Sequence, residues 1–326
     1  MIKGLSIMTL FYLHFESGWM TAEQNYFIVR SQGFYMVVGW LWGMSLKRRT
    51  VGEHWAKRKK GLVVPYLWFS LLFLVLDIVL IAGSFISPQI LYRDLYKTIC
   101  LRGIGTLWFL PALLGGEMLF LSTRDKGWWL KIVLYGISFS LMCYYYLVYD
   151  RIDSMNHNLK EIINAPLRLL LDTTSAFLYI SVAYYFSVRY GKRLFNTSKI
   201  KLFPVSALAC LVAFYLGRIP EATGVAPMFL FVVRNIIAGF GALLLFRSIE
   251  SFKPLSRPLA YFGKNSLTVM AMHWALLQVV LIIDEKMFHY PDYNGARTIL
   301  YFLAALFALL GIIELINKKL RFILGK

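Results

Sequence analysis

Ten apolar stretches, most of them close to the length of a bilayer-crossing helix and the second short, leave a chain of 326 residues few folds to choose from. They fall at 4–19, 33–46, 62–83, 104–122, 128–149, 166–187, 202–217, 226–246, 260–283 and 298–317. A hydrocarbon core of about 30 Å takes roughly 20 apolar residues in a helix, and inside it the backbone must satisfy its own hydrogen bonds. The composition agrees: 59% of residues are hydrophobic and only 16% are charged, outside the usual globular balance. The expected fold class is all-α, a polytopic membrane helix bundle with about ten transmembrane helices. No Gly/Ser linker, low-complexity segment or strong internal repeat divides it, so residues 1–326 are read as a single domain with no soluble extra domain.

The formal net charge of +18 does not point to nucleic acid, because that reading needs a basic face on a soluble fold. Here the cations sit in short clusters between apolar runs, and their sidedness sets orientation. One set of alternate loops, with the C-terminal tail, holds twenty-one lysines and arginines, including Lys57, Arg58, Lys59 and Lys60; the other set holds nine. Both termini are therefore expected in the cytoplasm, in a multi-pass protein of a bacterial cytoplasmic membrane. The first apolar run follows a single lysine and lacks a small-residue cleavage site, so it is expected to be a retained helix. Its closeness to Met1 suggests residues missing upstream. Cys100, Cys143 and Cys210 have neither metal-ligand spacing nor an even-numbered framework. No metal and no bound cofactor are expected, and nothing in the sequence fixes an oligomeric state.

Polar groups at bilayer depth are costly, so each is a functional candidate. His14 follows Lys3 by eleven residues. At 100° per residue the two share a helix face, about 16 Å apart along the axis. Glu16 points 200° away from His14, so the two form no dyad. His273, whose span also enters from the cytoplasmic side, near residue 260, rises about 20 Å to a depth comparable with His14. Arg168 and Asp172 stand i, i+4 and are expected to pair. Arg234 and Asp77 lie near mid-depth, and Glu117 in the inner half. Each has a structural alternative: a buried histidine can simply bond a neighbour, and the 57–60 cluster can be a topology signal alone.

Four segments in order, KGLSIMTLFYLH, KRKKGLVVPYLWF, GIGTLWFLPALL and FGKNSLTVMAMHWALL, resemble the acyltransferase-3 family of membrane O-acyltransferases. Lysine stands at position 3 where the family commonly has arginine, and Gly61 occupies the place of a usual second arginine. The resemblance implies transfer of an acyl group, most often acetyl from acetyl-CoA, to a hydroxyl of a carbohydrate such as a surface polysaccharide or lipid-linked glycan. His14 is then the principal base, with His273 its catalytic companion. Lys3, Arg58, Lys59 and Lys60 would hold the phosphates of the acyl-CoA donor. Trp108 and Phe109 would offer a stacking surface to the sugar, with Glu16 and Arg234 as further acceptor contacts. The rival class is a transporter or flippase for a glycan or lipid-linked sugar, which intramembrane ionisable residues would also suit; inverted repeats and paired interrupted helices are not apparent.

The orientation is open to direct measurement. Reporter fusions after residues 55 and 195 should read cytoplasmic, and fusions near 155 and 290 should read external. A cytoplasmic signal at 155 would overturn the ten-span reading and the depths assigned above.

Overall fold

The computed structural model describes residues 1–16, 31–45, 50–153, 157–218, 225–284 and 295–326. Among these, every regular element is helical. In chain order the helices are α1 (Ile2–Glu16), α2 (Ser31–Met44), α3 (Val51–Arg58), α4 (Val64–Ala82), α5 (Gln89–Ile99), α6 (Phe109–Thr123), α7 (Trp128–Asp153), α8 (His157–Asn196), α9 (Lys199–Gly217), α10 (Val225–Ser248), α11 (Lys253–Lys264), α12 (Ser266–Ile283) and α13 (Gly295–Lys318). Among the described residues, six helical segments are long and apolar enough to cross a membrane: 51–82, 159–196, 199–217, 225–248, 266–283 and 299–318. Ile2–Tyr12 and Phe109–Thr123 are shorter apolar helices. The side chains of Glu16, Arg30, Lys47, Arg48, Arg49, Arg151, Lys286 and Arg297 lie outside the described residues.

Several boundaries differ from the sequence reading, two of them for clear physical reasons. The stretch 260–283 breaks at Asn265, so that amphipathic α11 lies apart from apolar α12. α3 and α4 are joined by a wider π turn, Lys59–Val63, immediately before Pro65. A proline ring clashes with the carbonyl four residues back and gives that carbonyl no N–H; here it belongs to Gly61, and a local π turn accommodates the mismatch. α3 itself starts at a capping box, with the Glu53 amide donating to the Thr50 hydroxyl at 3.2 Å and the Thr50 amide to the Glu53 carboxylate at 3.0 Å.

The core is built around α8, which packs against α2, α6 and α7. Phe177, Tyr179 and Ile180 of α8 are sealed in it, together with Ile7 and Phe11 of α1 and Phe69 of α4. Large apolar side chains on α4, α9 and α13, such as Leu67, Val79, Leu208 and Phe307, face outward. On a soluble protein such a surface would mark an interface; on this bundle it is the side presented to lipid.

Hydrophobic burial does little to press helices together in lipid, so small residues that admit close backbone approach carry the packing. At Gly39 a β-carbon would lie 2.0 Å from the Ile180 carbonyl oxygen, and at Gly4 one would lie 1.8 Å from that of Leu259. These two positions fix α2 on α8 and α1 on α11. Gly39→Ala should therefore cost about 1–3 kcal/mol through overpacking and lower the thermal midpoint of the detergent-solubilised protein by several degrees. Gly136→Ala on α7, where an added β-carbon meets nothing within 4 Å, should leave the midpoint unchanged or raise it. Equal midpoints for the two variants would refute the close α2–α8 approach.

Candidate functional site

α1 carries its two candidate residues to different stations. Lys3 sits at the end where the chain starts, and His14 lies about 16 Å further along the axis. At the His14 station, α12 brings His273 alongside, with His273 Nε2 at 3.2 Å from His14 Nδ1 and the ring centroids 5.0 Å apart. His273 has no exposed surface, whereas His14 lines a cavity of about 580 Å³. The sequence reading placed the two at matching depth, and the fold makes them neighbours.

The hydrogen bonds assign the protons. His273 Nδ1 lies 2.8 Å from the Val269 carbonyl oxygen, which can only accept, so the Nδ1–H donates there. In the neutral ring His273 Nε2 is then an acceptor. His14 Nδ1 faces that acceptor and also the Leu10 carbonyl oxygen at 2.8 Å. It therefore carries the hydrogen, and the basic lone pair of His14 is on Nε2.

The wall around His14 comes from α2, α6, α7, α8, α10, α12 and the loop 100–108. Left-handed backbone at Leu101, Gly103 and Gly105 folds that loop tightly. Gly105 (φ +54) lies against Trp274, where a β-carbon would approach the indole to 2.3 Å, and Trp274 packs edge-on to His14 at 5.8 Å. The Thr106 hydroxyl donates to the Met270 carbonyl, one turn before His273. The same loop delivers Arg102 and Trp108 to the cavity, the guanidinium 5.3 Å from the indole centroid. Phe109 also lines the cavity, but it is wedged between Phe34 and Tyr35, stacked on the latter at 5.2 Å.

Arg168 and Asp172 line the cavity too, with Arg168 over the Tyr145 ring at 4.3 Å. Arg168 lies within electrostatic range of Asp172, while the bond to Asp172 comes from Arg102 at 3.4 Å, across a sequence distance no periodicity reveals. Three polar atoms of the lining, Ser6 Oγ, Gln32 Oε1 and the Tyr35 hydroxyl, are buried and lack a hydrogen-bond partner among the described residues. Arg234 is placed elsewhere: it stacks on Phe231 at 5.2 Å, and only the Phe231 ring reaches the cavity lining. Glu16 closes α1, and its side chain lies outside the described residues.

At the other station, Arg58 is bound on one side. Its Nε donates to Glu117 Oε2 at 2.7 Å and its Nη2 to Oε1. Glu117, with no exposed surface, also accepts from His54 Nε2 at 2.9 Å. Lys3 lies within electrostatic range of both Arg58 and Glu117. It also lines a mostly apolar cavity of about 490 Å³, shared with Arg247 and Lys264. Lys59 and Lys60 stand exposed on the π turn. The sequence reading does not single out His54 or Arg102. His54 stands four residues before Arg58, a same-face spacing that was available as a signal; Arg102 adjoins the GIGTLWF segment but reads there as an ordinary loop cation.

An acyltransferase domain model matches residues 1–319. Comparison with curated proteins and with solved structures returns no match. With that match spanning nearly the whole chain, a base-bearing cavity at one station and a cationic cluster at the other, the chain belongs to the acyltransferase-3 family, as a membrane acyltransferase.

Proposed function

We propose that this protein is an O-acetyltransferase of the bacterial cytoplasmic membrane. It spans the bilayer ten times with both termini inside, and moves acetyl from acetyl-CoA to a hydroxyl of a surface or lipid-linked glycan. The single observation that carries the reading is the His14–His273 pair at the wall of a cavity lined by hydroxyl and amide groups that lack a hydrogen-bond partner among the described residues. Buried polar atoms without partners are costly, and a polyhydroxylated sugar offers the donors and acceptors they lack.

In the reaction, His14 Nε2 takes the proton of the acceptor hydroxyl as its oxygen forms the new C–O bond at the thioester carbonyl carbon. Collapse of the adduct breaks the C–S bond, and the proton passes from His14 to the departing CoA thiolate. A neutral imidazole suits both halves of this exchange. His273 is a positioning residue: its acceptor nitrogen holds the His14 Nδ1–H and keeps the lone pair on Nε2. Trp108 contributes a stacking surface. Phe109, buried at its edge, serves mainly by supporting Tyr35.

Donor phosphates would be met by Lys3, Lys59 and Lys60, with Arg58 held by Glu117 and presenting its remaining N–H edge. The acyl arm would then run along α1 from Lys3 towards His14.

His14→Ala should abolish acetyl transfer while leaving the protein folded and able to bind acetyl-CoA. Unchanged transfer would end the assignment of His14 as base. His273→Gln should lower kcat by about one to two orders of magnitude, within the range of acid–base contributions, and leave the acetyl-CoA KM in place. A KM change with unaltered kcat would contradict its positioning role.

The donor contacts separate from the fold because Lys59 and Lys60 are exposed. Lys59→Gln with Lys60→Gln should raise the acetyl-CoA KM at least tenfold, since charge-assisted bonds are worth about 1.5–3 kcal/mol each and about 1.4 kcal/mol is one decade. The thermal midpoint and the acceptor KM should stay constant. Arg58→Gln, in contrast, strips a fully buried carboxylate of its cation and should also lower the midpoint. An unchanged acetyl-CoA KM in the double variant would reduce these lysines to a topology signal.

A further inference from the structure

A second cavity, of about 290 Å³, adjoins the His14 cavity, and Arg102 lines both. α1 and α12 run side by side in the same direction: Gly4 packs against Gly263 just before α12 begins, and ten residues on His14 meets His273. Gln278, five residues past His273 on α12, lines the second cavity about 7.5 Å further from the Lys3 station. This cavity therefore lies on the far side of the histidine pair from the donor cations. Trp274 belongs to both surroundings, since it packs against His14 with ring centroids 5.8 Å apart and also lines the second cavity.

The two linings differ in chemistry. The His14 cavity is mostly apolar, whereas the second is mostly polar. Its charges are matched: Arg93 pairs with Asp94 at 2.8 Å and Lys97 with Glu161 at 3.0 Å, while Arg102 bonds Asp172 at 3.4 Å. Asp77 adds a carboxylate within electrostatic range of Arg93 and Asp94. Such a lining calls for no counter-ion and suits a neutral ligand. Two amides supply what the ion pairs leave out. Gln278 Oε1 is buried with no hydrogen-bond partner among the described residues. Asn164 Oδ1 accepts from the Tyr145 hydroxyl at 3.0 Å, which leaves its N–H pair for the cavity. An orphaned acceptor is costly until a donor meets it, and the hydroxyls of a sugar both give and take hydrogen bonds. The Trp274 indole, held by the close approach of Gly105, offers a flat apolar surface beside the amides. A few placed polar groups next to an aromatic ring are the makings of a small-molecule site. The volume stands at the low end for such sites, roughly 300–1,000 Å³, so one ring fits and a chain does not.

We propose that the smaller cavity is a second acceptor subsite, which binds a neutral sugar residue linked to the one whose hydroxyl faces His14. This rests on reading the His14 cavity as the acceptor site. The acceptor is then a glycan of at least two residues, and the subsite decides which residue of it is acetylated. Holding the neighbouring ring by Gln278, Asn164 and Trp274 orients the reacting ring from outside the His14 cavity, the kind of remote positioning that brings a hydroxyl into line with its base.

Acceptor kinetics of the full-length protein in lipid nanodiscs, with radiolabelled acetyl-CoA, test it. The acceptors are the surface glycan of the producing cells, freed of esters by mild base, cut by partial hydrolysis and separated into monosaccharide and disaccharide pools. The disaccharide KM should lie at least tenfold below the monosaccharide KM. Gln278→Leu should raise the disaccharide KM about tenfold, the worth of one hydrogen bond, and leave kcat and the monosaccharide KM unchanged. Its thermal midpoint should hold or rise, because leucine replaces a buried acceptor that lacks a partner. Equal KM values for the two pools, or a Gln278→Leu variant that leaves the disaccharide KM unchanged or raises both constants alike, would overturn the proposal. Where transfer still depends on His14, such a result removes the subsite alone. If neither pool is acetylated, or if His14→Ala transfers normally, the catalytic reading of the larger cavity fails and the subsite falls with it.

Discussion

A carboxylate with no exposed surface organises one end of this molecule. Glu117 accepts from Arg58 twice and from His54 once, and removing any partner would leave a buried charge short of compensation. That requirement ties α3 to α6. α6 in turn is pressed onto α8, where a β-carbon on Gly116 would lie 2.5 Å from the Ala176 β-carbon. Because α3 runs through the π turn into α4, the same contact sets where Lys59 and Lys60 emerge. The C-terminal turn completes the arrangement: Gly325, at φ +67, lies so close to the Lys60 carbonyl that a β-carbon would reach within 1.8 Å. The exposed lysines are thus presented from a backbone held on both sides.

The opposite station depends on the backbone of one short loop. Its left-handed residues let Gly105 approach Trp274 while Thr106 reaches the Met270 carbonyl. The loop that delivers Arg102 and Trp108 is thereby pinned to the helix that delivers His273. Arg102, Trp108 and His273 are set by the same few contacts, so a displacement of the loop would move them together. α1 links the two stations, because Lys3 and His14 share a face of one rigid helix.

Helical class and the depth of the histidines were legible in the sequence, since apolar run length and 100° periodicity are local properties. His14 and His273 could be matched in depth, because each depth follows from a residue count along its own helix. Their 3.2 Å contact could not, because it depends on how α1 packs on α12. The partners of Arg58 and Asp172 were hidden for the same reason: Glu117 is 59 residues from Arg58, and Arg102 is 70 from Asp172. The break at Asn265 was also missed: Gly263, Lys264, Asn265 and Ser266 interrupt the apolar run there, and the span was read straight through them. Phe109 shows a different failure. An aromatic in a motif reads equally well as a sugar platform or as packing, and its contacts with Phe34 and Tyr35 decide for packing.

The choice of a second imidazole, rather than a carboxylate, as the companion of His14 follows from where the pair sits. A carboxylate fully removed from water would itself need a cation or several donors, and at the position of His273 the neighbouring groups are the Val269 carbonyl and aromatic rings. A neutral imidazole fixes the His14 proton on Nδ1 without introducing a charge. In the proposed acetyl transfer the base collects a hydroxyl proton and surrenders it to a thiolate within one turnover, and a neutral companion orients His14 for both transfers without adding a charge that favours one of them.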